Sequence, residues 1–234
     1  MYKVVRKVIS IGGVVLILTM YIIACSSTYI SASTKTGTNN YDRTFTSVDQ
    51  MSTNDWDNPE ELERVWQAAL VRIPRPDGGY ISSTINSLSA EDLESIRKLP
   101  TVIYLHGCSG VWDGTIRRIN FLAEHGYAVI APVSFARKKY PQSCDPETNQ
   151  AGMYRGTLKM RQYDAGYAIS KAKTLPWVDP AHVFLMGLSQ GGVATATFFS
   201  NDKRASVKAR VVEGWTCQTP WKEYRGIKAP NNEP

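Results

Sequence analysis

The chain has 234 residues, 43% of them hydrophobic and 21% charged, with a net charge of +6. That is the balance of one globular domain of ordinary size, and it excludes a disordered chain. No Lys/Arg stripe and no repeat period run through the sequence, and its 4 cysteines are too few for a disulfide scaffold, so nucleic-acid readers, solenoids and cysteine-stapled miniproteins are excluded.

Lys3, Arg6 and Lys7 precede an apolar run over residues 8–24. A positive flank before a short apolar stretch predicts a secretory signal, at the short end for a membrane span. The run closes on Ile22-Ile23-Ala24-Cys25, which resembles the lipobox of bacterial lipoproteins. That resemblance implies residues 1–24 as a signal peptide and Cys25 as the lipidated first residue of the mature chain. Ser26 resembles the outer-membrane type of sorting signal. An uncleaved signal anchor is the alternative; either way the rest of the chain is expected on the periplasmic side of a membrane. Residues 25–57 are rich in Ser, Thr and Asn without apolar periodicity, and predict a flexible tether.

Asn58-Pro59-Glu60-Glu61 is a helix start, with a capping residue followed by proline at the first helical position. Leu62, Val65, Trp66, Ala69 and Leu70 continue at helical spacing, and Pro74 and Pro76 are expected to end that helix. Ser89, with Asp92 three positions on, predicts a second short helix through Lys98. Residues 58–98 read as an N-terminal extension packed on the main fold.

Four short apolar runs follow: residues 102–105, 128–131, 183–186 and, more weakly, 209–212. Strands apolar on both faces belong to a parallel sheet covered by helices. Between them, Ile116, Ile119, Leu122 and Ala123 form one helical stripe, and Leu158, Ala165, Ala168, Ile169 and Ala172 another. The alternation predicts a doubly wound α/β sheet.

Two glycine-rich turns carry the chemistry. Gly187-Leu188-Ser189-Gln190-Gly191 follows the third strand and opens a helix, the strand–turn–helix context of a nucleophile elbow. The turn forces strain on Ser189, and glycines at 187 and 191 remove side chains that would collide. His106-Gly107-Cys108-Ser109-Gly110 follows the first strand. An ester's tetrahedral oxyanion needs two fixed N–H donors; the backbone amides of Gln190 and Cys108 are predicted to supply them, with Gly107 permitting close approach.

These two turns, together with Val111-Trp112 and Val178-Asp179-Pro180, resemble the α/β-hydrolase superfamily, nearest to dienelactone-hydrolase-like proteins, over residues 99–230. The resemblance implies a mostly parallel sheet with helices on both faces, an acyl-enzyme reaction on a small carboxylic ester, and no cofactor. Dienelactone hydrolases proper carry a cysteine nucleophile, where this chain has Ser189. It makes His106 a shaping residue of the oxyanion loop. The family order is Ser, then Asp or Glu, then His, yet His106, His125 and His182 all precede Ser189. Glu213 reads as an edge residue, and no acid follows on a next strand. Residues 99–234 are therefore expected to be a partial α/β-hydrolase domain, incomplete at the C-terminus and inactive or fragmentary as given, because the triad Asp and His are absent. A non-catalytic envelope lipoprotein on the same fold is the alternative.

Of Cys108, Cys144 and Cys217, the pair Cys144–Cys217 is preferred, and Cys108 as nucleophile is a minor alternative. No His/Cys spacing suggests a metal site. Substrate selection is expected in the loop over residues 137–156, with Tyr140, Met153, Tyr154, Trp112 and Trp215 as lining or as packing.

Overall fold

The computed structural model describes residues 44–45, 52–141, 143–145, 150–151, 154–215 and 218–228. The signal segment, Cys25, most of the tether, Met153 and Cys217 lie outside the described residues.

A short strand, β1 (Thr44–Phe45), comes first. Helix α1 (Pro59–Gln67) starts where the sequence predicts. The Asn58 side chain accepts from the backbone amides of Glu60 and Glu61 at 2.9 and 3.2 Å, capping donors that a first turn leaves unpaired. The helix buries Leu62, Val65 and Trp66. It stops well before Pro74. The chain turns at Ala68 and continues as β2 (Leu70–Pro74), reverses through Gly78 and Gly79, and returns antiparallel as β3 (Tyr80–Thr84). Positive φ at both glycines suits that reversal.

This corrects the reading of residues 58–98 as an extension, because they supply two of the six strands of the main sheet. Helix α2 (Ala90–Leu93) is a single turn rather than a helix to Lys98. Its capping box is formed as expected, with Asp92 N–H donating to Ser89 Oγ at 3.1 Å.

The next elements follow the predicted alternation: β4 (Leu99–Leu105), α3 (Asp113–Glu124) and β5 (Ala128–Ala131). Three short strands follow, β6 (Lys139–Tyr140), which pairs with β1, and β7 (Cys144–Asp145), which pairs with β8 (Gln150–Ala151). Then come α4 (Arg155–Ala172), β9 (Val178–Leu188), α5 (Gln190–Ala196) and β10 (Arg210–Glu213). The main sheet runs β10-β9-β4-β5-β2-β3. The strands β4, β5, β9 and β10 are parallel; β2 runs antiparallel to β5, and β3 antiparallel to β2 at the edge.

Successive side chains of a strand face opposite ways, and β4 divides between two cores accordingly. Ile103 and Leu105 pack with Trp66 of α1 and Ala165 and Ile169 of α4. Tyr104 packs on the other side with Ile119 of α3, Val129 and Phe135. Because these four adjacent strands are parallel, their C-terminal ends share one edge. The segments that leave it at His106, Pro132, Ser189 and Gly214 therefore meet there.

Candidate active site

Ser189 sits between β9 and α5 with φ 54° and ψ −118°, the sole non-glycine residue with positive φ among the described residues. Such a backbone costs on the order of 1–3 kcal/mol and survives only where its surroundings enforce it. Here they do. The Ser189 amide donates to the carbonyl of Glu213 at the end of β10 at 2.8 Å, and its own carbonyl accepts from Val193 at 2.9 Å. A Cβ at Gly187 would lie 2.2 Å from the Gly191 carbonyl oxygen, and one at Gly191 would lie 2.2 Å from that of Leu105. The two glycines flanking the serine are thus imposed by backbone-to-backbone approach. Ser189 itself is exposed.

The turn over residues 106–110 lies against it. The ideal Cβ position of Gly107 is 3.9 Å from Ser189 Cβ, and Gly110 N–H closes the turn onto the Gly107 carbonyl at 3.2 Å. Gly110 has φ +88°, and a Cβ there would stand 2.8 Å from the Phe135 ring.

His106 is 1% exposed. Its Nε2 faces the backbone N–H of Ser134 at 3.2 Å. An amide can only donate, so Nε2 is the acceptor and the ring proton resides on Nδ1. Nδ1–H then donates to the Gly107 carbonyl at 2.7 Å. Both nitrogens are therefore engaged by the backbone of the turn and of Ser134. His182 lies seven residues before Ser189, mostly along β9, about 23 Å away at strand rise, and pairs with Asp179 at 2.7 Å. His125 caps α3 just ahead of β5, at that same far edge.

Cys108 is joined to Cys144, with Cα atoms 5.4 Å apart. This corrects the expected Cys144–Cys217 pair: the segment after β6 folds back over the strand edge and brings Cys144 onto the turn. A disulfide sulfur carries no thiolate, so Cys108 is not a nucleophile. Tyr140 is fully buried against Phe135, with ring centroids 4.6 Å apart, and belongs to the core rather than to a pocket. Trp112 is 46% exposed, and its indole N–H donates to the Ser109 carbonyl at 2.7 Å, holding the ring beside the turn. Tyr154 is also exposed, while Trp215 packs with Leu158 and Val193.

Arg161, Ser143, the Arg137–Asp164 pair and Arg118 lie around the turns and were not singled out in the sequence. The fully buried Arg161 of α4 donates to the carbonyl of His106 at 2.6 Å, to that of Gly107 at 3.3 Å and to Gln190 Oε1 at 3.2 Å. Gln190 Nε2 in turn donates to Ser143 Oγ at 2.7 Å. Arg137 and Asp164 form an ion pair with neither side chain exposed. Glu213 is gripped by Arg118 of α3 through two hydrogen bonds, one of 2.8 Å from Nε. That grip holds the Glu213 carboxyl below the usual range, and it fits the edge role expected of this residue. Arg161 and Asp164 do leave a trace in the sequence. They fall on the face of residues 158, 165, 168 and 172, where a charged side chain must be buried.

A family model described as the dienelactone hydrolase family matches residues 86–230. The chain belongs to the dienelactone hydrolase family. Its fold is that of an α/β-hydrolase, with the elbow and the facing turn inside the matched stretch. Among solved structures this family member is similar to one titled m3DLH, at 20% identity over 55% of this chain and 54% of that one, with TM-score 0.40. It is similar to a putative dienelactone hydrolase from Klebsiella pneumoniae at 17% identity over 68% and 65%, with TM-score 0.39. It is also similar to the esterase Est22 at 19% identity over 62% and 41%, with TM-score 0.34. The chain thus spans less than two thirds of each of these structures. No curated protein matches it. Among the described residues of this dienelactone hydrolase relative, no cluster of His, Cys, Asp and Glu is suited to a metal ion, and no helix is long and apolar enough to cross a membrane.

Proposed function

We propose that the chain carries the nucleophile and the oxyanion-binding turn of a serine hydrolase acting on small carboxylic esters, exported and tethered to a membrane through Cys25. The observation that carries this reading is the exposed, strained Ser189 with the Gly107 turn beside it.

In the proposed reaction Ser189 Oγ attacks the ester carbonyl carbon and its proton passes to a base. The carbonyl oxygen becomes an oxyanion that accepts from the amides of Gln190 and Cys108. Gln190 occupies the first position of α5, where no intrahelical acceptor exists for its N–H. Collapse expels the alcohol and leaves an acyl-serine, which water hydrolyses to the free acid.

The base is the slow point. None of the three histidines serves Ser189, and no histidine follows it in the sequence. Serine hydrolases stripped of a triad member keep roughly 10³–10⁴-fold over water from oxyanion binding and substrate binding alone, so residues 1–234 taken by themselves are expected to give at least weak acyl transfer. The test is covalent labelling of the full chain by a fluorophosphonate, with and without added imidazole as a surrogate base. Slow labelling at Ser189, faster with imidazole and lost in Ser189→Ala, is expected. A folded chain that stays unlabelled even with imidazole overturns the catalytic reading in favour of a non-catalytic envelope protein.

The signal pattern of residues 1–24 supports export, and so does the Cys108–Cys144 disulfide, a bond that persists in oxidising compartments. Incorporation of labelled palmitate is expected in cells making the full chain. Incorporation that survives Cys25→Ala removes the lipid anchor at that residue.

A further inference from the structure

We infer that Arg161 is a positioning residue that aims the Cys108 amide at the reacting carbonyl and locks it to Gln190; the inference rests on the acyl-transfer reading above. The argument begins with the peptide between Gly107 and Cys108. It is planar and trans, so its C=O and N–H point in opposite directions. The Gly107 carbonyl accepts from three donors: Arg161 Nη1 of α4 at 3.3 Å, His106 Nδ1 at 2.7 Å and, within the turn, the Gly110 amide at 3.2 Å. Holding that oxygen inward turns the Cys108 N–H outward. The same Nη1 holds Gln190 Oε1 at 3.2 Å, and Nη2 holds the His106 carbonyl at 2.6 Å. One guanidinium therefore ties the turn to the first residue of α5, which is to say it ties one oxyanion donor to the other.

The chemistry of the partners points the same way. Arg161 is fully buried, and its acceptors among the described residues are two backbone carbonyls and a side-chain amide oxygen rather than a carboxylate. The nearby Asp164 is engaged by Arg137. A buried cation left with its charge only partly compensated is a poor stabilising device. Behind a peptide whose N–H faces a developing oxyanion it has a use, because its field opposes the negative charge that appears only in the transition state. Polarisation of the Gly107 carbonyl also strengthens the Cys108 N–H as a donor. Lysine is no substitute, since a single ammonium does not span the His106 and Gly107 carbonyls as the planar fork does.

The test compares Arg161→Met and Arg161→Lys with the parent, all as the full chain, by residue-resolved amide hydrogen exchange and by imidazole-assisted fluorophosphonate labelling. In Arg161→Met, exchange at residues 107–109 and 190 is expected to rise about tenfold or more while β5 and α1 keep their protection. The labelling rate is expected to fall roughly 10²-fold, the size of losing one oxyanion donor, with half-saturation by the probe unchanged. Arg161→Lys is expected to recover part of both losses, and it carries the comparison alone if Arg161→Met does not fold. Parent-like exchange at residues 107–109 and 190, or a rise spread evenly over the chain, overturns the inference. A parent that never labels sinks the acyl-transfer reading instead, and the exchange arm still decides whether Arg161 orders the two amides.

Discussion

Gly191→Ala is expected to cost about 3 kcal/mol or more of folding stability, at the upper end for overpacking. The added Cβ would stand 2.2 Å from the carbonyl oxygen of Leu105, 2.6 Å from that of His106 and 2.8 Å from the Leu105 carbonyl carbon. All three are backbone atoms at the end of β4, the strand between β5 and β9 in the sheet, so none can rotate away. Either the elbow lifts off the sheet or the strand end shifts. The comparison is Gly166→Ala in α4. There the new Cβ meets only the Phe198 ring at 3.6 Å, an ordinary contact, and alanine is the better helix former by about 1 kcal/mol. Urea unfolding separates the two: the Gly191→Ala midpoint falls steeply while that of Gly166→Ala holds or rises. An unchanged midpoint in Gly191→Ala would show that the elbow is looser than the structure places it.

Asp164→Ala is expected to cost about 3–5 kcal/mol, the penalty of leaving a buried guanidinium without its counterion. The Arg137–Asp164 pair has no solvent-exposed side-chain surface. Arg137 also donates to the carbonyls of Asp55 at 2.7 Å and Trp56 at 3.0 Å, so the pair ties the segment before α1 to α4. Removing both charges together, as in Arg137→Met with Asp164→Leu, is expected to recover much of the loss, because no ion then remains to be buried. A double-mutant cycle in urea measures this directly. A loss below about 1 kcal/mol in Asp164→Ala would mean that water reaches the pair, as it does in surface ion pairs.

The parts of the molecule that were legible in the sequence are those fixed by local backbone constraints. Gly187 and Gly191 are dictated by contacts below 3 Å and therefore had to be glycine whatever the rest of the chain did. The caps at Asn58 and Ser89 act within three residues. The run 128–131 is β5 to the residue, and 183–186 lies inside β9. What escaped depends on partners far along the chain. Apolar residues at 62, 65, 66, 69 and 70 keep helical spacing past the end of α1, so nothing local announces that Leu70 already belongs to a strand. Its pairing with Ala131 of β5 decides that, and Arg72 interrupts the apolar run that would have marked β2. Arg72 is itself buried, with Nε donating to Asn120 Oδ1 at 2.8 Å. Buried charges escaped for a related reason: Arg161 and Asp164 show in the sequence only as charges on the apolar face of α4, and their partners, like that of Arg137, come together only in the fold. Cysteine pairing followed the path of the segment after β6, which no spacing rule encodes.

The Cys108–Cys144 bond has a sequence separation of 36 and ends on the residue whose amide is proposed as an oxyanion donor. A newly made chain among reduced glutathione would hold two separate thiols there. Its turn would rest on hydrogen bonds, among them those of His106, Arg161, Gly110 and Trp112, without the covalent tie. On the proposed exported reading the compartment becomes a component of the site: oxidation adds a covalent tie to the turn that the reduced chain lacks.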